Sequence, residues 1–534
     1  MKSNRKTKII ILIIFGIFFA FSPIITSIHS FISGNGNTYS ENSEDSNFDL
    51  ENLKFSKMSE KIHINNNWTV AKAAGICIGN GTYSNPYTIE NKVINDGGVE
   101  HWTAILIENS NEYFSIENCS FYRSERPPYY GITLNNVQNG LIINNNCSPS
   151  FYGIRLSNSN NNTISDNIIN NADLMGISLY SSNYNLILGN IINISGQNGI
   201  YLVDCKYNTV LENEMNRCGL EIQASLRNGN WTLLLSHLNI HNIDTTNLVN
   251  GKPLYYYANE VSLGSDNFTN AGQVILVNCN ESLVSGLNTS YGSMGISLYF
   301  CNYNNVSYNS ANYNSNSGIY LKKSDTNLIV GNDADYNHIY GIDLIYSNNN
   351  SILRNNAIKV VKRGSGIHMD SGNNNIISEN IANNNSDGIA IRHSTNNQIL
   401  GNTVFYNHHG ISLFKSVNNF ITGNIANNNS NGIELLVNSN NNQVTGNTAN
   451  NNGHCGIYLY LESNNNIITG NTLVGNEICI QEYICNGNRF WDNVGCTYGL
   501  EIFFELIIWI SIIGGVAIVM VTLYIIRRKR KRIL

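Results

Sequence analysis

Basic residues are scarce in the bulk of this chain. It carries 31 Lys and Arg against 37 Asp and Glu, and ten of the 31 sit in two terminal stretches, Lys2–Lys8 and Arg527–Arg532. The remainder holds 21 positive against 37 negative charges. Phosphate backbones are held by clustered Lys and Arg, so this balance argues against a nucleic-acid partner. It attracts cations only diffusely, which bears on solubility more than on any site. Long apolar runs are also missing between the ends. Within 61–495 each apolar stretch is three to five residues long and alternates apolar with polar, the period of strands and not of helices. Disorder does not fit either, because hydrophobic residues make up 42% and Ile and Leu hold a fixed register.

That register is the main positive signal. A Gly-Ile-x-[Leu/Ile/Met] signature recurs at Gly131, Gly153, Gly176 and Gly199, then at Gly295, Gly318, Gly341, Gly366, Gly388, Gly410, Gly432 and Gly456. The steps are mostly 22 or 23 residues. A constant period of this size means one unit stacked on copies of itself. Each unit has room for short strands closed by Asn, Ser, Gly or Asp, the residues that tolerate left-handed turns. The expected class is all-β: a right-handed parallel β-helix of about 22–23-residue rungs, roughly 4.8 Å apart. A second register, Gly401-Asn402, Gly423-Asn424, Gly446-Asn447 and Gly470-Asn471, predicts an asparagine ladder along the axis.

The ends carry different signals. Lys2, Arg5, Lys6 and Lys8 precede the apolar run 9–21, so 1–30 reads as a signal peptide or signal anchor and 31–60 as a linker. Residues 502–526 are apolar and long enough to span a bilayer, and the basic tail 527–534 is expected on the cytoplasmic side. These segments predict a single-pass cell-membrane protein with its bulk outside. Eleven cysteines then lie where disulfides form. Cys479, Cys485 and Cys496 are close enough in sequence for a bond that closes the last rung.

The repeat divides into rungs 61–230 and 291–498, separated by a segment 231–290 that we expect to continue the helix. This segment holds Gly251-Lys252-Pro253-Leu254-Tyr255-Tyr256-Tyr257, and the entry to the repeat reads Asn85-Pro86-Tyr87-Thr88-Ile89-Glu90-Asn91. Together with the repeat these stretches resemble the NosD-like right-handed β-helix proteins of archaeal cell surfaces, which carry carbohydrate-binding and sugar-hydrolase type repeats. The family name implies copper delivery. The residues do not support it: the seven Met are scattered, and Met369 falls on an inward position. No metal or other cofactor is expected.

Counting the Gly of each rung as zero, strand alternation points positions +1 and +3 inward and +2 and +4 outward. Outward charges concentrate between Gly318 and Lys415. Asp343, His368, Asp370 and Arg392 fall on adjacent rungs, with the two carboxylates on a diagonal roughly 8 Å apart. That separation suits an inverting glycosidase, so these four are the candidate catalytic residues. The same pattern also suits ion pairs on a solvated face. Lys322, Lys323, His393 and Lys415, with Tyr299 and Tyr320, are candidate ligand contacts, since cations bind acidic sugars and Tyr rings stack on sugars. The leading expectation is surface binding or display of polysaccharide. The alternatives are a polysaccharide hydrolase or lyase on rungs 318–415 and, from the family name alone, copper handling.

Overall fold

A computed structural model describes residues 58–59, 61–95, 103–122, 130–362, 364–495 and 498–500. The segments read as signal (1–30), transmembrane span (502–526) and basic tail (527–534), and all of 31–60 except residues 58–59, lie outside the described residues. Among the described residues no helix is long and apolar enough to cross a membrane.

The rungs form a right-handed parallel β-helix. Each Gly-Ile strand pairs in parallel with its counterpart one rung away, as Ile342 does with Ile367 and Ile367 with Ile389. A second ladder of three-residue strands, such as Ser351–Leu353, Ile376–Ser378 and Gln398–Leu400, stacks in the same way. A third face is held by single bridges such as Asp333 to Asn356. Ile342, Leu344, Ile367, Ile389, Ile391, Ile411 and Leu413 are fully buried. Burial of each aliphatic side chain stabilises by about 1.5–3 kcal/mol, and no rung can bury its own face without a neighbour.

The turns depend on asparagine. Asn402 donates from Nδ2 to Asn424 Oδ1 (2.9 Å) and to Ile377 O (2.8 Å), while its Oδ1 accepts from the Asn380 backbone amide (3.0 Å). Asn424, Asn447 and Asn471 repeat this pattern, as the Gly-Asn register predicts. Two further ladders run beside it, through Asn350, Asn375, Asn397 and Asn419 and through Asn385, Asn407 and Asn429. A buried backbone group at each turn thus finds its partner one rung away.

The segment 231–290 is more than additional rungs. Trp231–Leu238 is an α-helix, and Leu248–Val249 pairs antiparallel with Lys252–Ala258. The first Gly-Ile ladder ends at Leu220–Gln223, and a new ladder begins with Lys252–Ala258 against Gln273–Val277. Side chains from the new block close the end of the old one. The Gln273 amide bonds both Leu220 N (3.0 Å) and Leu220 O (2.6 Å). Ser293 Oγ accepts from Gly219 N (2.9 Å), and the Tyr299 hydroxyl donates to Ile222 O (3.0 Å). The buried apolar side chains form two clusters, and Leu254, Ile275, Val277 and Tyr299 of the second block belong to the first block's cluster, packing across the seam.

Candidate functional site

The charged side chains lie on the outer face of the second Gly-Ile ladder. Strict alternation would turn position −1 inward with +1 and +3, but the repeat glycine breaks that rule. A Cβ on Gly388 would stand 2.6 Å from Gly410 O and 2.9 Å from Asn407 Nδ2. Position 0 therefore faces the packed interior beside the buried Ile at +1. Position −1 joins +2 and +4 on the outer face, giving three outward columns instead of two.

The +2 column is outward yet shielded. Asp343 and His368, register partners on neighbouring rungs, are only 5% and 4% exposed. His368 Nδ1 lies 2.7 Å from Asp343 Oδ1, and Tyr340 at −1 stacks on the imidazole with centroids 4.4 Å apart. The other ring nitrogen, Nε2, is buried without a hydrogen-bond partner. The device recurs along the face. His393 Nδ1 sits 3.2 Å from Asp370 Oδ1, and His409 Nδ1 sits 2.7 Å from Asp387 Oδ1. In each case the carboxylate belongs to one rung and the imidazole to the next.

The third pair reaches further. His409 Nε2 lies 3.7 Å from Glu434 Oε1 and 2.7 Å from His408 Nδ1. Burial opposes charge on His409, but the Asp387 hydrogen bond with the charges of Glu434 and Asp387 outweighs it and raises the imidazole pKa. Burial raises the Glu434 pKa, partly offset by His409 and by the hydrogen bond from Asn431. Glu434 Oε2 is buried without a partner.

Asp343, His368, Asp370 and Arg392 do fall on one face, and Asp370 registers with Arg392. Their arrangement corrects one expectation. The cleft does not hold two free carboxylates flanking a water; each expected carboxylate is engaged by an imidazole, and Asp343 is buried. The ligand candidates divide. Tyr299 is 2% exposed because its hydroxyl closes the seam, which removes it from any ligand surface. Tyr320 stands beside it, rings 5.6 Å apart, half-buried, with its hydroxyl pKa pushed well up by burial. Burial lowers the Lys322 pKa, and Glu221 and Asp204 across the seam partly restore it. Lys323 Nζ sits 5.6 Å above the Trp231 ring. His393 and Lys415 both lie against Phe414, a candidate ligand wall. Tyr340, Asp387 and His409 were not legible from alternation, whereas Glu434 stands at an outward +2 position beyond the rungs singled out. The signal for these three is a charged or aromatic residue directly before the repeat glycine.

Residues 103–246 and 224–404, together more than half of the chain, match the model of the family described as "right handed beta helix region". Residues 356–498 match that of the "periplasmic copper-binding protein (NosD)". The chain has no match among curated protein sequences. Among solved structures it resembles the periplasmic alginate epimerase AlgG, at 12% identity and TM-score 0.22, over 76% of this chain and 85% of that one. It also resembles the A-module of the Azotobacter vinelandii mannuronan C-5 epimerase AlgE4, at 12% identity and TM-score 0.26, over 82% of this chain and 92% of that one. A third is tailspike protein 3 of bacteriophage CBA120, at 10% and 0.24, over 81% and 59%. At scores this low nothing is carried over from the three.

The NosD description raises copper, and the donors in the matched segment do not fit it. Met369 is buried in the core with its sulfur 3.1 Å from Asn375 Nδ2. The Cys455 thiol is pushed up to about 12 by burial, with Glu434 and Glu477 adding to the shift, and Cys479 is disulfide-bonded. Copper(I) selects exposed, converging thiolate and thioether sulfurs. Among the described residues no group of three or more His, Cys, Asp or Glu is arranged to hold a metal ion.

Proposed function

The chain belongs to the right-handed β-helix family, and from that premise we propose that it is a cell-surface protein that binds polysaccharide along the outer face of its second Gly-Ile ladder. The observation that carries this reading is the line of carboxylate–imidazole pairs on that face, three of them on successive rungs. A stalk needs none of them. Burying Asp343 and leaving His368 Nε2 without a partner costs stability that packing does not return. Aromatic rings flank the line: Tyr340 over His368, Phe414 beside His393, and Tyr460 stacked on Tyr483 with Tyr458 tilted against it. Rings supply apolar contact to sugar faces, His393 and His409 supply hydrogen bonds, and Arg392 supplies positive charge to an acidic chain. Attachment to the membrane through 502–526, with the β-helix outside, completes this reading; the apolar length and the basic tail support it. Protease digestion of intact cells tests it, with loss of the β-helix and survival of the tail as the expected outcome.

One observation favours a second reading, chemistry on the bound chain. Asp343 orients His368 through Nδ1, an arrangement that serves proton transfer in hydrolysis or in lyase cleavage once the buried Nε2 is uncovered to a bound chain. Binding is tested by a glycan array with the full-length protein. Cleavage is tested by release of reducing ends or unsaturated products from acidic polysaccharides. Binding without products leaves a binding protein. Products that persist in both Asp343→Asn and His368→Gln contradict the second reading.

A further inference from the structure

A cavity of about 380 Å³ opens at the seam between the two blocks of rungs, apart from the carboxylate–imidazole line. One end is formed by Ile194 and Arg217 of the first block, and the other by Val361; Tyr291, Tyr313, Tyr336 and His338 form its length. Its volume falls within the range of small-ligand sites.

The tyrosines form a column. Tyr291 and Tyr313 stack at 4.8 Å with rings 1° from parallel, and Tyr313 and Tyr336 at 4.7 Å and 8°. Lys359 Nζ caps the column 5.2 Å from the Tyr336 centroid. All three tyrosines have left-handed backbones, with φ of 64°, 57° and 57°. A bulky residue in that region costs on the order of 1–2 kcal/mol. The same corner of later rungs is filled by Lys359, Asn384, Tyr406, Asn428 and Asn451, of which asparagine tolerates it best. What sets the first three corners apart is the unbroken stack of rings, which the turn itself does not require.

The column uses its ring faces on itself, so what it offers the cavity is ring edges and hydroxyls. Aromatic edges carry the positive end of the ring quadrupole. Arg217 is the charged residue of the lining, and Lys359 stands outside it against Tyr336, so the cavity favours negative charge. Asp335, the nearby carboxylate, is turned to the backbone and accepts from Ile358 N at 2.7 Å.

We propose that this seam cavity is a second carbohydrate site that holds one acidic sugar unit, its carboxylate toward Arg217 and its ring along the Tyr291–Tyr313 edges. The ligand class rests on the polysaccharide reading; the location does not. The site lies on a different surface from the carboxylate–imidazole line and gives one chain two points of attachment. That raises avidity without new contacts on either surface.

The test is titration of the full-length protein with galacturonate and, separately, with galactose. Galacturonate is expected to bind at least tenfold more tightly, and Arg217→Gln to reduce it to the level of galactose. Tyr313→Asn is expected to abolish binding of both without lowering the melting temperature, because Asn suits that corner. Tyr340→Ala, on the other surface, is expected to weaken polymer binding and leave galacturonate unchanged. The proposal is overturned by equal binding of the two sugars, or by galacturonate binding that survives Tyr313→Asn. Loss of galacturonate in Tyr340→Ala would place the sugar on the carboxylate–imidazole face and overturn the location alone.

Discussion

Asparagine does two jobs in this chain, and the difference lies in the backbone. At corners such as Asn384 and Asn428 it tolerates left-handed angles, and in the ladders it satisfies buried backbone groups of adjacent rungs. The second job is the costly one to lose. Asn402→Ala leaves the Asn380 amide and the Ile377 carbonyl buried without partners, an expected loss of about 2–4 kcal/mol measured by chemical denaturation. The Gly-Asn spacing revealed this ladder in the sequence. It did not reveal the other two, because their asparagines sit among further asparagines with no glycine to mark the turn.

Titration belongs to the same scale. The His409 and Glu434 pKa values are both raised in the fold, from ordinary values of 6.5 and 4.5. A raised value means that stability is fully present below the unfolded pKa and is lost as pH rises through the folded one. Both groups therefore act in one direction, and the melting temperature is expected to fall between about pH 5 and 8. The His409→Gln/Glu434→Gln double variant is expected to flatten that slope. An unchanged slope would mean that these two residues do not set it.

Among the elements, the seam is what the sequence did not convey. The interruption of the Gly-Ile period marked its place, but the period says only where rungs stop. It does not say that Tyr299, an outward residue, would be buried against the end of the preceding ladder. That burial follows from the unpaired edge of Leu220–Gln223, whose backbone groups need donors and acceptors. Gln273→Ala removes the partners of both Leu220 backbone groups and is expected to cost about 2–4 kcal/mol, and Tyr299→Phe about 1–2 kcal/mol. Changes below about 0.5 kcal/mol in both would show that the seam is not closed this way. The repeat glycine is the other element-level correction. Alternation read from +1 and +3 was right for Ile and Leu and wrong for position −1, because glycine at 0 lets two consecutive positions face inward. Asp387 and His409 were hidden by that one step.

For the whole molecule, the period predicted a right-handed β-helix, and the stacked ladders and the family match agree. The candidate site was legible in part: Asp343, His368, Asp370 and Arg392 share a face because register held across the 25-residue step. The Asp343–His368 pair follows from that register, whereas Asp370 meets His393 and not only its register partner Arg392, through side-chain geometry that no spacing encodes. The central claim, that this face binds polysaccharide, is tested most directly by the affinity of the full-length protein for acidic polysaccharide before and after Tyr340→Ala with Arg392→Gln. Binding is expected to weaken at least tenfold with the fold retained, the lost Tyr340 stacking lowering the melting temperature only modestly. Equal affinity in the variant, or no binding by the unaltered protein, would contradict it.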